Sequence, residues 1–438
     1  ARSGAGRCVM ARRLWVVLVA LALSGAAHGV TEAADDKPAG SASAYPPIQP
    51  LIDATPDGGT LTLDPGTYAG PAVIDRPITL DGQDKAVIDN GGEGSVVTLN
   101  GDGSTVKNLT LRNSGHMLDR IDSGVDVRGR SNVVKNNVIE DCLFGVNLQQ
   151  ASNNVVRQNV ISSKHIDQGM RGDAIRLWYS TDNQIVGNHI EDSRDTVFWY
   201  SKDNIIRDNV VIRGRYGMHF MYSHYNLLEG NSYYDNTVGV FLMYSDSIVM
   251  RGNHIERSHG ASGIGIGFKE TSGVTIADNQ VLGNATGLYM DVSPYDRDMT
   301  NTIERNRIAY NGIGILFHNE WSGNVFRAND FISNFTEVAV YGGGGATKHQ
   351  WESNHWDAYE GFDRDHDGIG DTPFQHFQYA DRLWMDIPEA QFFRGSVILE
   401  LLDFMERLLP FSEPRLLLSD ARPSLNANIA PPSAKEQP

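Results

Sequence analysis

The chain has 438 residues, 40% of them hydrophobic, with 45 glycines and a formal charge of −17. That acidic balance, with no compensating basic tract, argues against nucleic acid or anionic lipid as the main partner. Cys8 and Cys142 are its two cysteines, which rules out a disulfide framework.

In chain order, Arg12 and Arg13 precede the apolar run Leu14 to Leu23, and small residues come next at Ala26, Ala27 and Ala33. This is the pattern of a secretory signal over residues 1–34, too short to remain as a membrane span. Residues 35–47, polar and rich in Pro and Ser, read as a disordered leader. The apolar segment Ile48 to Ile52 predicts a short helix over the open end of a strand array, and Gly59 to Tyr68 gives alternating strands with tight turns.

Between Trp178 and Asn253 the chain repeats itself as WYSTDNQIVGNHI, WYSKDNIIRDNVV, MYSHYNLLEGNSY and MYSDSIVMRGNHI, with Asn188, Asn209, Asn231 and Asn253 spaced 21 or 22 residues apart. Asn108, Asn137 and Asn159 extend the series upstream, and Asn279, Asn306, Asn329 and Asn354 extend it downstream. Short Val, Ile and Leu runs in period-2 alternation, punctuated by Gly and Asn, are strand and turn signals. Repeats of this length without a helical period predict an all-β fold, a parallel β-helix over residues 48–357 with coils of about 22 residues. Stacked Asn side chains would satisfy the buried corner amides, a structural role that needs no function.

Two steps of the series are longer and carry insertions, one with His116 and Met117, the other with His165 and Met170. These loops should leave the same edge one coil apart. Imidazole and thioether are ligands suited to copper, and ordinary loop residues are the alternative. Counting back from the ladder places Trp178, Trp199, Met221 and Met243 in one outward column, with Arg176, Val197, His219 and Phe241 beside it. So apolar an outward stripe suits a partner surface, a groove for sugar rings or a covering loop. Within it His219, Met221 and Met243 are candidates for a soft metal. A register slip of one residue would turn the whole stripe into core. Cys142 falls in a corner column with Ser193 and Asn236 and reads as a buried thiol.

Residues 358–387 form an exit segment in which Asp363, Asp365, Asp367 and Asp371 occupy positions 1, 3, 5 and 9 of a calcium-type loop, with the Ile369 carbonyl at position 7. Phe374 stands where an EF-hand has its bidentate acid, so an EF-hand is excluded. Residues 388–411 predict a short amphipathic helix with Leu401, Leu402, Phe404, Met405 and Leu408 on its apolar face. It caps the last coil or docks on a membrane-protein partner. Residues 412–438 read as a tail, disordered after Pro423.

The strings RGDAIRLWYS, GMHFMYSHYN, GVFLMYS, GLYMDVSPY and GFDRDHDGIGDTPF, together with FFRGSVILELLDFMERLLP, resemble the NosD family of nitrous oxide reductase maturation proteins over nearly the whole chain. The resemblance implies a periplasmic right-handed β-helix that associates with an ABC transporter permease and ATPase. It also implies receipt of copper from a lipoprotein chaperone and help in assembling the copper centre of nitrous oxide reductase, which places the protein in denitrification. By analogy the C-terminal helix would contact the permease. The resemblance assigns no metal ligands, so the His and Met candidates rest on their chemistry. A polysaccharide lyase, hydrolase or epimerase is the competing class, and a metal-free docking platform is a third.

Overall fold

The computed structural model describes residues 44–260, 263–409 and 413–429; the predicted signal region and the leader up to residue 43 lie outside the described residues. From residue 44 onward the chain is a right-handed parallel β-solenoid of about 13 turns with coils of about 23 residues. The coil of Asn188 shows the plan. Strand Gln184–Val186 lies on a first face, His189–Glu191 on a second and Asp195–Trp199 on a third. A corner separates each from the next. Val, Ile and Leu alternate along each strand, so every second side chain points inward and stacks on its equivalent in the next coil. Ile185, Ile206, Leu228, Met250 and Ile276 form one such file, all buried.

The corners are held by polar files inside the solenoid. Asn188 Nδ2 donates to Asn209 Oδ1 at 2.9 Å, and the pattern runs from Asn137 to Asn354. Asn108 does not start this file as the sequence suggests. With φ of 55° it turns outward to Asp81, and the backbone N–H of Leu109 meets Asn137 instead. A second Asn file through Asn132, Asn154, Asn183, Asn204 and Asn226, and a Ser file through Ser180, Ser201, Ser223 and Ser245, hold the corner after the third face. In the corner before the third face Cys142 is fully buried, and burial pushes its thiol up to about 12, which leaves it inert.

Helix α1 (Gln49–Ala54) covers the N-terminal end, with Ile48 and Ile52 in the core and Arg76 bonded to its last carbonyls. The C-terminal end is closed by an unanticipated antiparallel hairpin, Phe374–Gln378 with Arg415–Asp420, which inserts Phe374, Leu417 and Leu418 into the core. Asp420 Oδ2 accepts from Asn354 N and Nδ2 at 3.0 and 2.9 Å, ending the Asn file. Residues 424–429, expected to be disordered, are held to the solenoid by hydrogen bonds. Ser424 N donates to Asn354 O, and the N–H groups of Asn428 and Ile429 donate to the buried Asp330 carboxylate. Helices α2 (Arg382–Asp386) and α3 (Val397–Leu408) do not cap the last coil. They pack on the outside of the third face, where Trp384, Met385 and Leu399 join Ile313, Leu316 and Ala339. No helix among the described residues is long and apolar enough to cross a membrane.

Candidate functional site

The outer surface of the third face carries the columns expected from the sequence. Trp178, Trp199, Met221 and Met243 are successive partners, as are Arg176, Val197, His219 and Phe241. Met218 and Phe220, between the outward residues, are core, so the register is not slipped. Along the solenoid axis this surface changes character. It begins polar, where Arg176 Nη1 donates to Asn147 Oδ1 and Asn147 Nδ2 donates to Asp126. It becomes aromatic where the Arg176 guanidinium lies 5.1 and 5.7 Å from the ring centres of Trp178 and Trp199. It then turns soft at His219, Met221 and Met243, and α2 and α3 cover its far end.

His219 Nε2 lies 3.1 Å from Met243 Sδ, and Met221 is the strand neighbour of Met243. His219 is only 9% exposed. Burial depresses its basicity, Asp195 opposes this and the Arg215 charge adds to it, so the imidazole is neutral, and the tautomer with its proton on Nδ1 offers the Nε2 lone pair to a metal. Phe241 does not cover His219 because it leans over Gly267, where a Cβ would sit 2.5 Å from two of its ring carbons. With no side chain of its own, Gly267 leaves room for the Phe241 ring in that position. The fit to copper rests on these donors, one imidazole and two thioethers, which suit Cu(I).

The insertion loops fall elsewhere. Both leave the corner ahead of the third face, with the coil of Phe144–Gln149 between them. His116, Met117, His165 and Met170 all face solvent, Met170 being 60% exposed. The second loop leans along the axis, and Gln168 Nε2 reaches the carbonyl of Arg213 on the coil of His219. Its His and Met thus lie toward the upstream edge of the soft site without being part of it.

A tyrosine file went unnoticed in the sequence. Tyr179, Tyr200, Tyr222 and Tyr244 come directly after the Trp/Met column and stack at 4.7, 5.3 and 4.9 Å with nearly parallel rings. The signal was the Tyr shared by the four WYS and MYS repeats. Beyond the file, Tyr222 and Tyr244 line a cleft of about 880 Å³ with Tyr295, Trp321, Asp246 and Glu270.

In the acidic loop, ligand atoms of Asp363, Asp365 and Asp367 come within 4.8 Å of one another. A hydrogen bond to Asp363, then the charge of Asp367, push the Asp365 carboxyl up. The oxygens of Asp363 already accept from the N–H groups of His366, Asp367 and Gly368, and Asp371 is occupied by the N–H of Arg364. Ile369 bridges to Ser424, so the loop clasps the tail. On α3, Leu401, Leu402, Phe404, Met405 and Leu408 face solvent, with Phe404 59% and Leu408 64% exposed. The inward side of the helix carries Leu399 and Glu406.

Fold and site together define a parallel β-helix protein with an imidazole and two thioethers on one outer face and, over the far end of that face, a helix whose apolar side is exposed. Residues 162–361 match the model of the family described as periplasmic copper-binding protein (NosD). The "Probable ABC transporter binding protein NosD" of Pseudomonas aeruginosa is 32% identical over 380 residues, covering 82% of this chain and 87% of that protein. Its namesake from Stutzerimonas stutzeri is 26% identical, covering 85% and 88%. The chain belongs to the NosD family, a periplasmic family. Among solved structures, the A-module of the Azotobacter vinelandii mannuronan C-5 epimerase AlgE6 superposes with a TM-score of 0.56 at 19% identity, over 69% of this chain and 93% of that one. The catalytic domain of a GH87 α-1,3-glucanase in complex with tetrasaccharides gives 0.58 at 15% identity, over 72% and 68%. At these identities the likeness is one of fold.

Proposed function

We propose that this protein is a periplasmic scaffold that binds copper on the third face of its solenoid and hands it over during maturation of nitrous oxide reductase. The observation that carries this is the contact of His219 Nε2 with Met243 Sδ at 3.1 Å beside Met221. The family description and the names of the relatives support it. The exposed apolar side of α3 suits a transporter permease as partner, with ATP hydrolysed in a separate subunit, since the chain has no phosphate-binding loop. His165 and Met170, with His116 and Met117, are outer positions where a copper chaperone would approach. Trp178, Trp199 and Phe241 frame the surface that a delivering or receiving protein would cover. The mutual approach of Asp363, Asp365 and Asp367 favours a structural calcium ion in the exit loop. The reading as a polysaccharide-active enzyme is weaker, because carboxylates along the groove are spoken for: Asp126 by Arg128, Asp173 by Arg194 and Asp195 by Arg215.

The test is anaerobic Cu(I) titration of the purified protein against a competing chelator. One Cu(I) per chain is expected. His219→Ala combined with Met221→Ala and Met243→Ala should abolish that binding, and stoichiometric binding that survives the triple substitution would refute this site.

A further inference from the structure

We infer that Asp195, Arg215 and Tyr216 form a clamp that positions the imidazole of His219 for a monovalent soft ion. This rests on the copper reading of the His219 site and adds three residues to it. Tyr216 and His219 are three apart on one strand, and regular alternation would put them on opposite sides of the sheet. The pairing with the preceding strand, however, slips by one residue between the partners Asp195↔Tyr216 and Val197↔His219. That is a β-bulge, a device that re-aims side chains. Gly217 lies in it, because a Cβ there would be 2.6 Å from the carbonyl oxygen of Gly239 and 2.8 Å from the ring of Tyr233. Both rings consequently stand on the outside and stack, with centres 4.8 Å apart and planes 21° from parallel.

The stack is tied down at its far side. The backbone N–H of Tyr216 donates to Asp195 Oδ1 at 3.1 Å, and Arg215 Nε donates to the same oxygen at 3.0 Å. The Arg215 guanidinium lies 5.1 Å from the centre of the Tyr216 ring, within cation–π range. The Asp195 carboxylate is buried. An unbroken series therefore runs from Asp195 through Arg215 and Tyr216 to His219 and Met243. It covers one face of the imidazole, prevents its rotation into solvent and leaves Nε2 directed at the thioether. The donors are all neutral, and the nearby Asp195 carboxylate is paired with the Arg215 guanidinium, which leaves it little charge to offer a dication. Such surroundings favour a cuprous ion over a dication.

The experiment compares anaerobic Cu(I) affinity in the parent, Tyr216→Phe, Tyr216→Leu, Arg215→Gln and His219→Ala, each with its thermal midpoint and its Zn(II) affinity. Groups that orient a metal-ligating histidine typically matter by about 10–100-fold in affinity. Tyr216→Phe, which keeps the stack, should match the parent. Tyr216→Leu should bind Cu(I) at least about tenfold more weakly at unchanged stoichiometry. Arg215→Gln, whose buried partner Asp195 keeps the Arg194 guanidinium at 3.7 Å, should narrow the Cu(I) over Zn(II) preference, and its thermal midpoint reads the cost of breaking the buried pair. Parent-like affinity in Tyr216→Leu, or an unchanged preference in Arg215→Gln, would overturn the clamp even where His219→Ala abolishes binding. Parent-like binding in His219→Ala would instead overturn the copper site itself.

Discussion

Alanine at Gly267 is the sharpest probe of how the soft site is kept open. The added Cβ would lie 2.5 Å from Cδ2 and Cε2 of Phe241 and 3.1 Å from Cγ. Carbon atoms settle about 3.5–4.0 Å apart, so the ring must retreat by roughly 1 Å. The floor beneath it is closed by the buried Phe220 and Leu242, which leaves the direction of its other strand partner, His219. Overpacking of this kind costs about 1–3 kcal/mol. If the ring moves over the imidazole, it takes the space a metal needs between Nε2 and Sδ. A tenfold loss of Cu(I) affinity, about 1.4 kcal/mol, is expected. Phe241→Leu in the same chain should restore binding, and the two substitutions should be coupled by more than about 0.5 kcal/mol. Competition titrations on the parent, both single variants and the double variant measure this. Parent-like affinity in Gly267→Ala, with only the thermal midpoint lowered, would show that Phe241 escapes elsewhere and that the hollow has no part in the site.

Two further outcomes concern the scaffold. Asn209→Leu removes three bonds donated by Nδ2, to Ile185 O, Arg207 O and Asn231 Oδ1, and two accepted from Asn188. With buried partners stranded at about 1–3 kcal/mol each, the denaturant midpoint should fall by the equivalent of roughly 3–6 kcal/mol; a change within about 0.5 kcal/mol would contradict the role given to the file. Glu337→Gln should stabilise the protein at pH 7.5 and not at pH 4.5. Burial above all, then the neighbouring Asp357, push the Glu337 carboxyl up to about 8 from 4.5. The native state thus keeps a proton that the unfolded chain has lost, and stability drains away as pH rises between those values. A gain on the order of 2 kcal/mol at pH 7.5 is expected by linkage, read from thermal midpoints, and an equal gain at both pH values would refute it.

The architecture was open to reading because a solenoid writes its period into the chain. Asn188, Asn209 and Asn231 recur where each coil turns, and inward and outward residues alternate after Gly217 and Gly239. The columns of Trp178 and His219 came directly from that alternation. What stayed hidden depends on partners distant in sequence. Asn108 has the right spacing and the wrong backbone conformation, and only its coil neighbours decide that Leu109 meets the ladder. The hairpin of Phe374 and Leu417 joins segments about 40 residues apart, with no periodicity to announce it. Phe241 leaning on Gly267 and the slip at Asp195 are departures from the repeat, so a reading built on the repeat passes over them. The His and Met of the insertion loops looked equivalent to His219 in composition, but burial and a thioether neighbour distinguish the strand residues.

The closure of the Asn file by Asp420 sets the order in which the molecule can be completed. Coils can stack as the chain emerges from its N-terminal side, each amide finding its partner in the next coil. Asn354 is different, because its partner comes 66 residues later, after the acidic loop, both C-terminal helices and the first strand of the hairpin. Until that point arrives, the last coil presents buried-type amides and an unpaired strand edge to other chains. The solenoid is thus finished late, like a zip whose stop is fitted only after the teeth are joined. Shortening the protein ahead of Asp420 should yield chains that fold coil by coil and then associate end to end.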